Sequence, residues 1–354
     1  MNPLDWLLDS DPAICWQALR DLTDADPSAI TAERARVTRE GLGAAIVSHQ
    51  QLDGAWRREG APAWLTTLFT LQLLRATGAD PTDPLIEKAI SRLESSLYWD
   101  CTPGNWDIRP VRATGNPFFQ GEVEPCINGG VLALGGYFGH PNKKLARRLL
   151  TEQLPDGGWN CDAPKSQRSS FHTTICVLEG LLEYERAISA SPTEAQVPQV
   201  QQSHANEIAA ARRRAEEYLL ERALFRRRST GEIANPEFLE LAFPPRYHYD
   251  ILRALDYFRS ASLHASSGAE STLKPDPRLA EAIKLIVRKR QPDGCWLLEN
   301  CYDESLALPL SESIGQRSRW NTLRAIRVLL WNHQEIIALT DHLPTPRNSG
   351  PTHR

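Results

Sequence analysis

The apolar positions of the chain fall into two kinds of segment. Residues 12–22, 63–76, 125–138, 171–184, 246–258 and 318–331 are apolar nearly all round, the pattern of helices buried on every side. Residues 32–50, 83–97, 142–153, 206–225 and 277–290 are rich in Arg, Glu and Ala, with charges at helical spacing, as a solvated face shows. No run alternates with the period of two that a half-buried strand requires. The two kinds of segment alternate, which predicts pairs of helices, one inner and one outer, in an all-α fold.

The turns between the pairs carry a repeat. Gln50-Gln51-Leu52-Asp53-Gly54-Ala55-Trp56 and Gln153-Leu154-Pro155-Asp156-Gly157-Gly158-Trp159 share the consensus Q-x-x-D-G-x-W. Arg290-Gln291-Pro292-Asp293-Gly294-Cys295-Trp296 is a third copy with Arg in first place, and Gly104-Asn105-Trp106 is a weaker echo. The spacing implies a unit of about 50 residues, a length typical of helical repeats. Each residue type has a physical task. Gly adopts positive φ at little cost and closes the turn after an outer helix. The Gln side chain reaches backbone groups at the helix end, and the Trp packs over the junction between neighbouring pairs. The motif therefore identifies a fold rather than a chemistry.

Composition refines this picture. With 354 residues, a rule of about 150 residues per domain suggests two domains. The repeat replaces that with one domain over residues 1–340, with flexible insertions expected at 187–206 and 260–276 and a disordered tail at 341–354. A net charge of −4 argues against nucleic acid as a partner. No run reaches the roughly 18 apolar residues of a membrane-spanning helix, so membrane contact is expected to be peripheral at most. The first residues carry acid where a signal peptide carries bases, which points to the cytoplasm. The seven cysteines are scattered, as free thiols or metal ligands would be in a reducing compartment.

The three Q-x-x-D-G-x-W-like motifs resemble the repeats of the terpenoid cyclase and protein prenyltransferase superfamily, over roughly residues 10–335. The resemblance implies an α/α toroid, roughly (α/α)6, with about six inner and five to six outer helices around a central cavity. Squalene cyclase-like enzymes hold two such domains, and a single toroid of this size is similar to a protein prenyltransferase β subunit. Within 120–182 the resemblance is more local. Gln120-Gly121-Glu122-Val123-Glu124-Pro125-Cys126 resembles the family's D-x-C zinc motif, with Glu in place of Asp. Phe171-His172-Thr173-Thr174 and the residues to Leu181 resemble its Y-H-T-x-x-x-L-x-G-L segment, with Phe in place of Tyr. By this resemblance Glu124, Cys126 and His172 would bind Zn²⁺, with Cys161 and Asp162 as alternative ligands. A thiolate, an imidazole and a carboxylate leave one position open, a catalytic pattern that activates a substrate thiol. A buried structural cysteine and a satisfied core histidine are the alternative readings of the same residues.

In a ring of this kind the first turns of the inner helices surround a common cavity mouth, where helix dipoles and side chains converge. Trp64, Phe171, Tyr247, His248, Tyr249 and Trp320 fall there as candidate substrate contacts. Arg253, Arg317, Arg319 and Lys165 are candidates for an anionic head group. Cys126 and His172 are candidate catalytic residues, as is Asp250, which with Asp256 would lie in an inner helix. The D-x-D-D acid motif of squalene-type cyclases does not occur.

Three functions follow. The first is an isoprenoid-handling enzyme resembling a prenyltransferase β subunit, transferring the isoprenoid of an allylic diphosphate with zinc assistance. The second is a non-catalytic toroid that binds a lipid or a protein partner chain. The third is a squalene cyclase-like isomerase, disfavoured by the missing acid motif, and a cyclase relic that needs a partner chain is a variant of it.

Overall fold

A computed structural model of the chain describes residues 2–100, 107–109, 115–190, 199–265 and 275–333. Asp-Pro pairs punctuate its helices. Asp11, Asp26 and Asp83 each accept a backbone N–H two residues on, at 2.8–2.9 Å, and the following proline opens the helix. They start α2 (Pro12–Leu22), α3 (Pro27–Arg36) and α6 (Pro84–Ser96), after a short α1 (Pro3–Leu8). The other helices are α4 (Gly41–Ser48), α5 (Ala63–Thr77), α7 (Pro125–Tyr137), α8 (Lys143–Thr151), α9 (Phe171–Ala190), α10 (Gln199–Leu220), α11 (Ile251–Ala265), α12 (Ala280–Lys289) and α13 (Arg319–Trp331).

The helix contacts close a ring. α2 packs on α5, α5 on α7, α7 on α9, α9 on α11, α11 on α13, and α13 back on α2. These six inner helices carry the apolar segments expected of them. The remaining helices pack outside, so the chain is an all-α toroid. β1 (Tyr98–Asp100), β2 (Asp107–Arg109) and β3 (Asn116–Pro117) form a small antiparallel sheet in the order β2-β1-β3. A two-residue pairing joins β4 (Trp296–Leu297) to β5 (Arg317–Ser318). The inner helices α7 and α9 approach most closely, because glycine faces glycine. A Cβ on Gly180 would stand 2.4 Å from the Gly129 carbonyl oxygen, and one on Gly129 would stand 2.5 Å from that of Cys176.

The three repeats fold alike to the atom. Trp56, Trp159 and Trp296 are fully buried, and each indole donates to a carbonyl of the preceding outer helix, Ile46, Leu149 and Ile286, at 2.7–2.8 Å. Each backbone N–H of these tryptophans donates to the threonine hydroxyl of the following inner helix, Thr67, Thr174 and Thr322, at 3.0–3.1 Å. Gln50 and Gln153 each donate to the motif glycine's carbonyl and to a carbonyl of the next outer helix, Ala89 and Ala211. The motif glycines Gly54, Gly157 and Gly294 have φ of 87°, 99° and 86°, as the turn requires.

Two expectations need adjusting. The inner helix expected at 246–258 begins only at Ile251, because Pro244 and Pro245 precede it and Arg246 has φ of 50°, which no right-handed helix accommodates. The segments expected as flexible insertions are helical at their described ends, since α9 runs to Ala190, α10 starts at Gln199 and α11 runs to Ala265. Residues 191–198 and 266–274, the tail at 341–354 and the Trp106 echo lie outside the described residues.

Candidate active site

A cavity of about 1010 Å³ lies inside the ring. It runs along the middle and carboxyl-terminal halves of the inner helices. Gln17, Arg20 and Asp21 of α2 line it, with Gln72 and Arg75 of α5 and Tyr137 of α7. Glu179, Glu183 and Arg186 of α9, Arg253, Asp256 and Arg259 of α11, and Arg324 and Arg327 of α13 also face it, with Arg34, Asp80, Asp83 and Arg246 from the segments beside them. Residues 243–246 line the cavity beside the first helical turns, where Phe243 stacks on Trp320 with centroids 4.3 Å apart. Six aromatic side chains share the lining: Trp16, Phe69, Tyr137, Phe243, Tyr257 and Trp320.

The lining contains nine arginines and six carboxylates, a surplus of three positive charges in a chain whose own net charge is −4. Arg246 turns to Glu304 and Asp83 to Arg39, neither partner in the lining, which leaves the surplus unchanged. Of the carboxylates that remain, Glu179 pairs with Arg253 and Asp80 faces Arg34, and the other three are shared. Asp256 faces Arg259, Arg324 and Arg327, and Asp21 faces Arg20, Arg259 and Arg327. Glu183 lies 3.2 Å from Arg75 and 3.5 Å from Arg186. Burial, followed by the Arg327 guanidinium, pushes Arg259 below the usual arginine range. Burial also lowers Arg186, with Glu183 opposing and Arg75 reinforcing the shift. Guanidiniums that crowd a shared carboxylate in this way have hydrogen-bond capacity and charge left for an anion.

Of the eight expected substrate contacts, Arg253 and Trp320 line this cavity. The other six are engaged elsewhere. The Trp64 ring lies against Trp99, with centroids 6.2 Å apart, and the Trp64 backbone N–H donates to Asp107 at 2.8 Å. Phe171 packs among Tyr218, Phe238 and Tyr249, and the Tyr249 hydroxyl donates to the Leu224 carbonyl. His248 stacks between Tyr247 and Tyr302, with centroids 4.1 and 3.6 Å away. Burial, then His172 and two arginines, lower the His248 imidazole to about 4. Arg319 lies over the Trp6 ring and reaches the Trp6 and Asp9 carbonyls. Asp250, also expected to be catalytic, is buried outside the lining. Its Oδ1 accepts the Arg253 backbone N–H at 2.9 Å, its Oδ2 has no partner, and burial raises its carboxyl above the usual range against the pull of Arg324.

The expected metal ligands divide. Glu124, Cys126 and Cys161 bring one oxygen and two sulfurs within 4.8 Å of one another. Cys126 Sγ lies 3.6 Å from Glu124 Oε2 and 2.8 Å from Cys161 Sγ. The contact between the two sulfurs, and then burial, raise Cys126. The same contact lowers Cys161, against burial. His172 stands outside the cluster: its Nδ1 accepts the Tyr249 N–H at 2.9 Å, and its ring lies edge-on to Phe238, Tyr247 and His248. Asp162 points to solvent, its backbone N–H donating to Asn160. The thiolate–thiolate–carboxylate set suits zinc and leaves one position open.

The charged cavity wall was written in the sequence. Inside otherwise apolar helices, Gln17, Arg20 and Asp21, then Glu179, Glu183 and Arg186, then Arg253, Asp256 and Arg259, recur at three- to four-residue spacing on one face. The threonines at the inner-helix starts are structural, since Thr67, Thr174 and Thr322 hold the motif tryptophans.

No protein-family model matches the chain, and no curated protein matches it. Among solved structures it is similar to a protein from Actinoplanes, at 16% identity and a TM-score of 0.41 over 91% of this chain and 90% of that one. It is also similar to the type II terpene cyclase MstE from Scytonema in its apo form, at 16% identity and a TM-score of 0.41 over 90% of this chain and 86% of that one. A variant of MstE in complex with its product, merosterolic acid A, gives 16% identity and a TM-score of 0.42 over 91% and 86%. No helix among the described residues is long and apolar enough to cross a membrane.

Proposed function

We propose that the chain is a terpenoid-handling enzyme whose central cavity receives an isoprenoid with an anionic head, an allylic diphosphate. One observation carries the reading: aromatic rings and a guanidinium surplus share a single cavity inside the ring. Aromatic faces bury an isoprenoid chain and stabilise positive charge developing on it. Guanidiniums pair with phosphate oxygens through two parallel hydrogen bonds, and so favour departure of diphosphate when the allylic C–O bond breaks. In this reading Arg75, Arg186, Arg259 and Arg327 hold the head, and Phe69, Phe243 and Trp320 line the path of the chain.

For the transfer reaction, Glu124, Cys126 and Cys161 are the proposed zinc ligands, in place of the set that includes His172. Zinc bound there would supply a lowered thiol pKa on an accepting nucleophile. Thr173 of α9 touches the Cys161 sulfur at 3.5 Å, and Cys176 on the same helix lines the cavity. A second reading, proton-initiated cyclisation, has Asp250 as its candidate acid, a carboxyl that burial raises but that lies outside the cavity lining.

Incubation with farnesyl diphosphate and a cysteine-containing peptide as thiol acceptor separates the two. Transfer releases diphosphate, depends on the two cysteines and survives Asp250→Asn. Cyclisation retains the diphosphate on the product and is abolished by Asp250→Asn. A chain that neither binds nor converts the substrate would overturn both.

A further inference from the structure

Two cysteines distant in sequence meet where neither is free to move away. Cys126 occupies the first turn of α7, directly after Pro125, which fixes the helix start. Cys161 lies two residues after Trp159, whose indole and backbone N–H are both anchored. The turn beyond Cys161 is bracketed by Asn160, whose Oδ1 accepts the Asp162 N–H at 2.9 Å and whose Nδ2 donates to the Arg168 carbonyl at 2.7 Å. Between these supports the sulfurs stand 2.8 Å apart. A disulfide bond is about 2.05 Å long, so the remaining closure is under about 1 Å. Thr173 of α9 touches the Cys161 sulfur at 3.5 Å, and both cysteines are partly exposed.

We infer that Cys126 and Cys161 form a redox-active dithiol, which a hydroperoxide oxidises to a disulfide tying α7 to the loop before α9. The inference rests on the placement of the two sulfurs and is independent of the isoprenoid reading. The chemistry closes with one oxidant. The Cys161 sulfur attacks one oxygen of the hydroperoxide, the O–O bond breaks, and the leaving oxygen departs as an alcohol or water carrying a proton, with a sulfenic acid left on Cys161. The Cys126 sulfur then attacks that sulfur, the S–OH bond breaks, and the Cys126 thiol proton leaves with the hydroxyl as water. The dithiol loses two electrons and two protons, and the peroxide gains them. The product uses up both sulfurs of the Glu124–Cys126–Cys161 cluster, so oxidation and metal binding there exclude each other.

The test uses the full chain, reduced and treated with a chelator, then exposed to one equivalent of hydrogen peroxide and digested without reductant. The expected result is a peptide pair linked through Cys126 and Cys161, with an intact mass lower by about 2 Da for the two thiol hydrogens. In Cys126→Ser the oxidation is expected to stop at a sulfenic acid on Cys161 that a dimedone probe traps. Cys161→Ser is expected to form no link. Circular dichroism of each variant checks that it is folded, and the unmutated chain gives the cross-link result independently. Oxidation spread evenly over the cysteines, or over-oxidation of Cys126 and Cys161 without a link, would overturn the inference. So would stoichiometric zinc in the purified chain that no chelator removes and that shields both thiols.

Discussion

Arg253 of α11 closes on Glu179 of α9 through two hydrogen bonds of 2.8 Å each, in the wall of the central cavity. The guanidinium also donates to the His248 carbonyl and so ties the loop before α11 to the same point. Burial opposes the charge of Glu179, but Arg253 together with Arg75 and Arg324 holds the carboxyl below its usual range. Glu179 is a quarter exposed toward the cavity, so removing it leaves the buried Arg253 charge unpaired at a cost of about 1–3 kcal/mol. Glu179→Ala is therefore expected to lower unfolding stability by that order, read by urea denaturation. Inorganic diphosphate should restore part of the loss, because the freed Arg253 gains an anionic partner. An unchanged stability would contradict the assignment of this pair to the cavity wall.

The repeat makes a prediction in triplicate. Thr174 is fully buried and its hydroxyl takes the Trp159 N–H. Thr174→Val leaves that donor buried without a partner, at a cost of about 1–3 kcal/mol. Thr67→Val and Thr322→Val repeat the same geometry at Trp56 and Trp296 and should cost similar amounts. A set of thermal melts on the three variants checks this, and one that differs widely from the others would show that the junctions are not equivalent.

Acid should weaken the fold through His248. Its folded pKa of about 4 lies below the ordinary value near 6.5, so the unfolded chain binds the extra proton first. Stability from this group is complete above about pH 6.5 and is lost as pH falls toward 4. His172 is lowered in the same direction, by burial and then by Arg253. Denaturant midpoints measured across this window should fall with pH, and His248→Phe, which keeps the stacked ring on Tyr302, should flatten the slope. An equal slope in the variant would remove His248 as the cause.

How much of this was legible in the sequence depends on where the physics is local. Five of the six inner helices were readable, because burial on all sides leaves an apolar pattern and Asp-Pro pairs and D-G turns mark several boundaries. The sixth began late because Arg246 takes a left-handed conformation that no pattern of polarity announces. The end of the ring that holds the site was not readable. The first helical turns do gather aromatic and polar residues, but Phe171, Tyr247, His248 and Tyr249 pack on one another and on Phe238 and Tyr302 there. The cavity lies further along, where charged residues sit inside apolar helices, and their common target appears only once the ring is closed. The local sequence resemblance suggested His172 as a metal ligand, whereas the fold gives its Nδ1 to Tyr249 and places Cys161 beside Cys126.

The central claim is that the arginine surplus of the cavity holds the anionic head of an isoprenoid. Titration calorimetry of the full chain with farnesyl diphosphate, set against the double variant Arg75→Gln/Arg186→Gln, tests it most directly. Each charge-assisted hydrogen bond lost is worth about 1.5–3 kcal/mol, so the double variant should bind at least about 100-fold more weakly. Farnesol, which keeps the chain and lacks the charge, should bind weakly and equally to both proteins. Equal affinity of both proteins for the diphosphate, or no binding to the unmutated chain, would contradict the account.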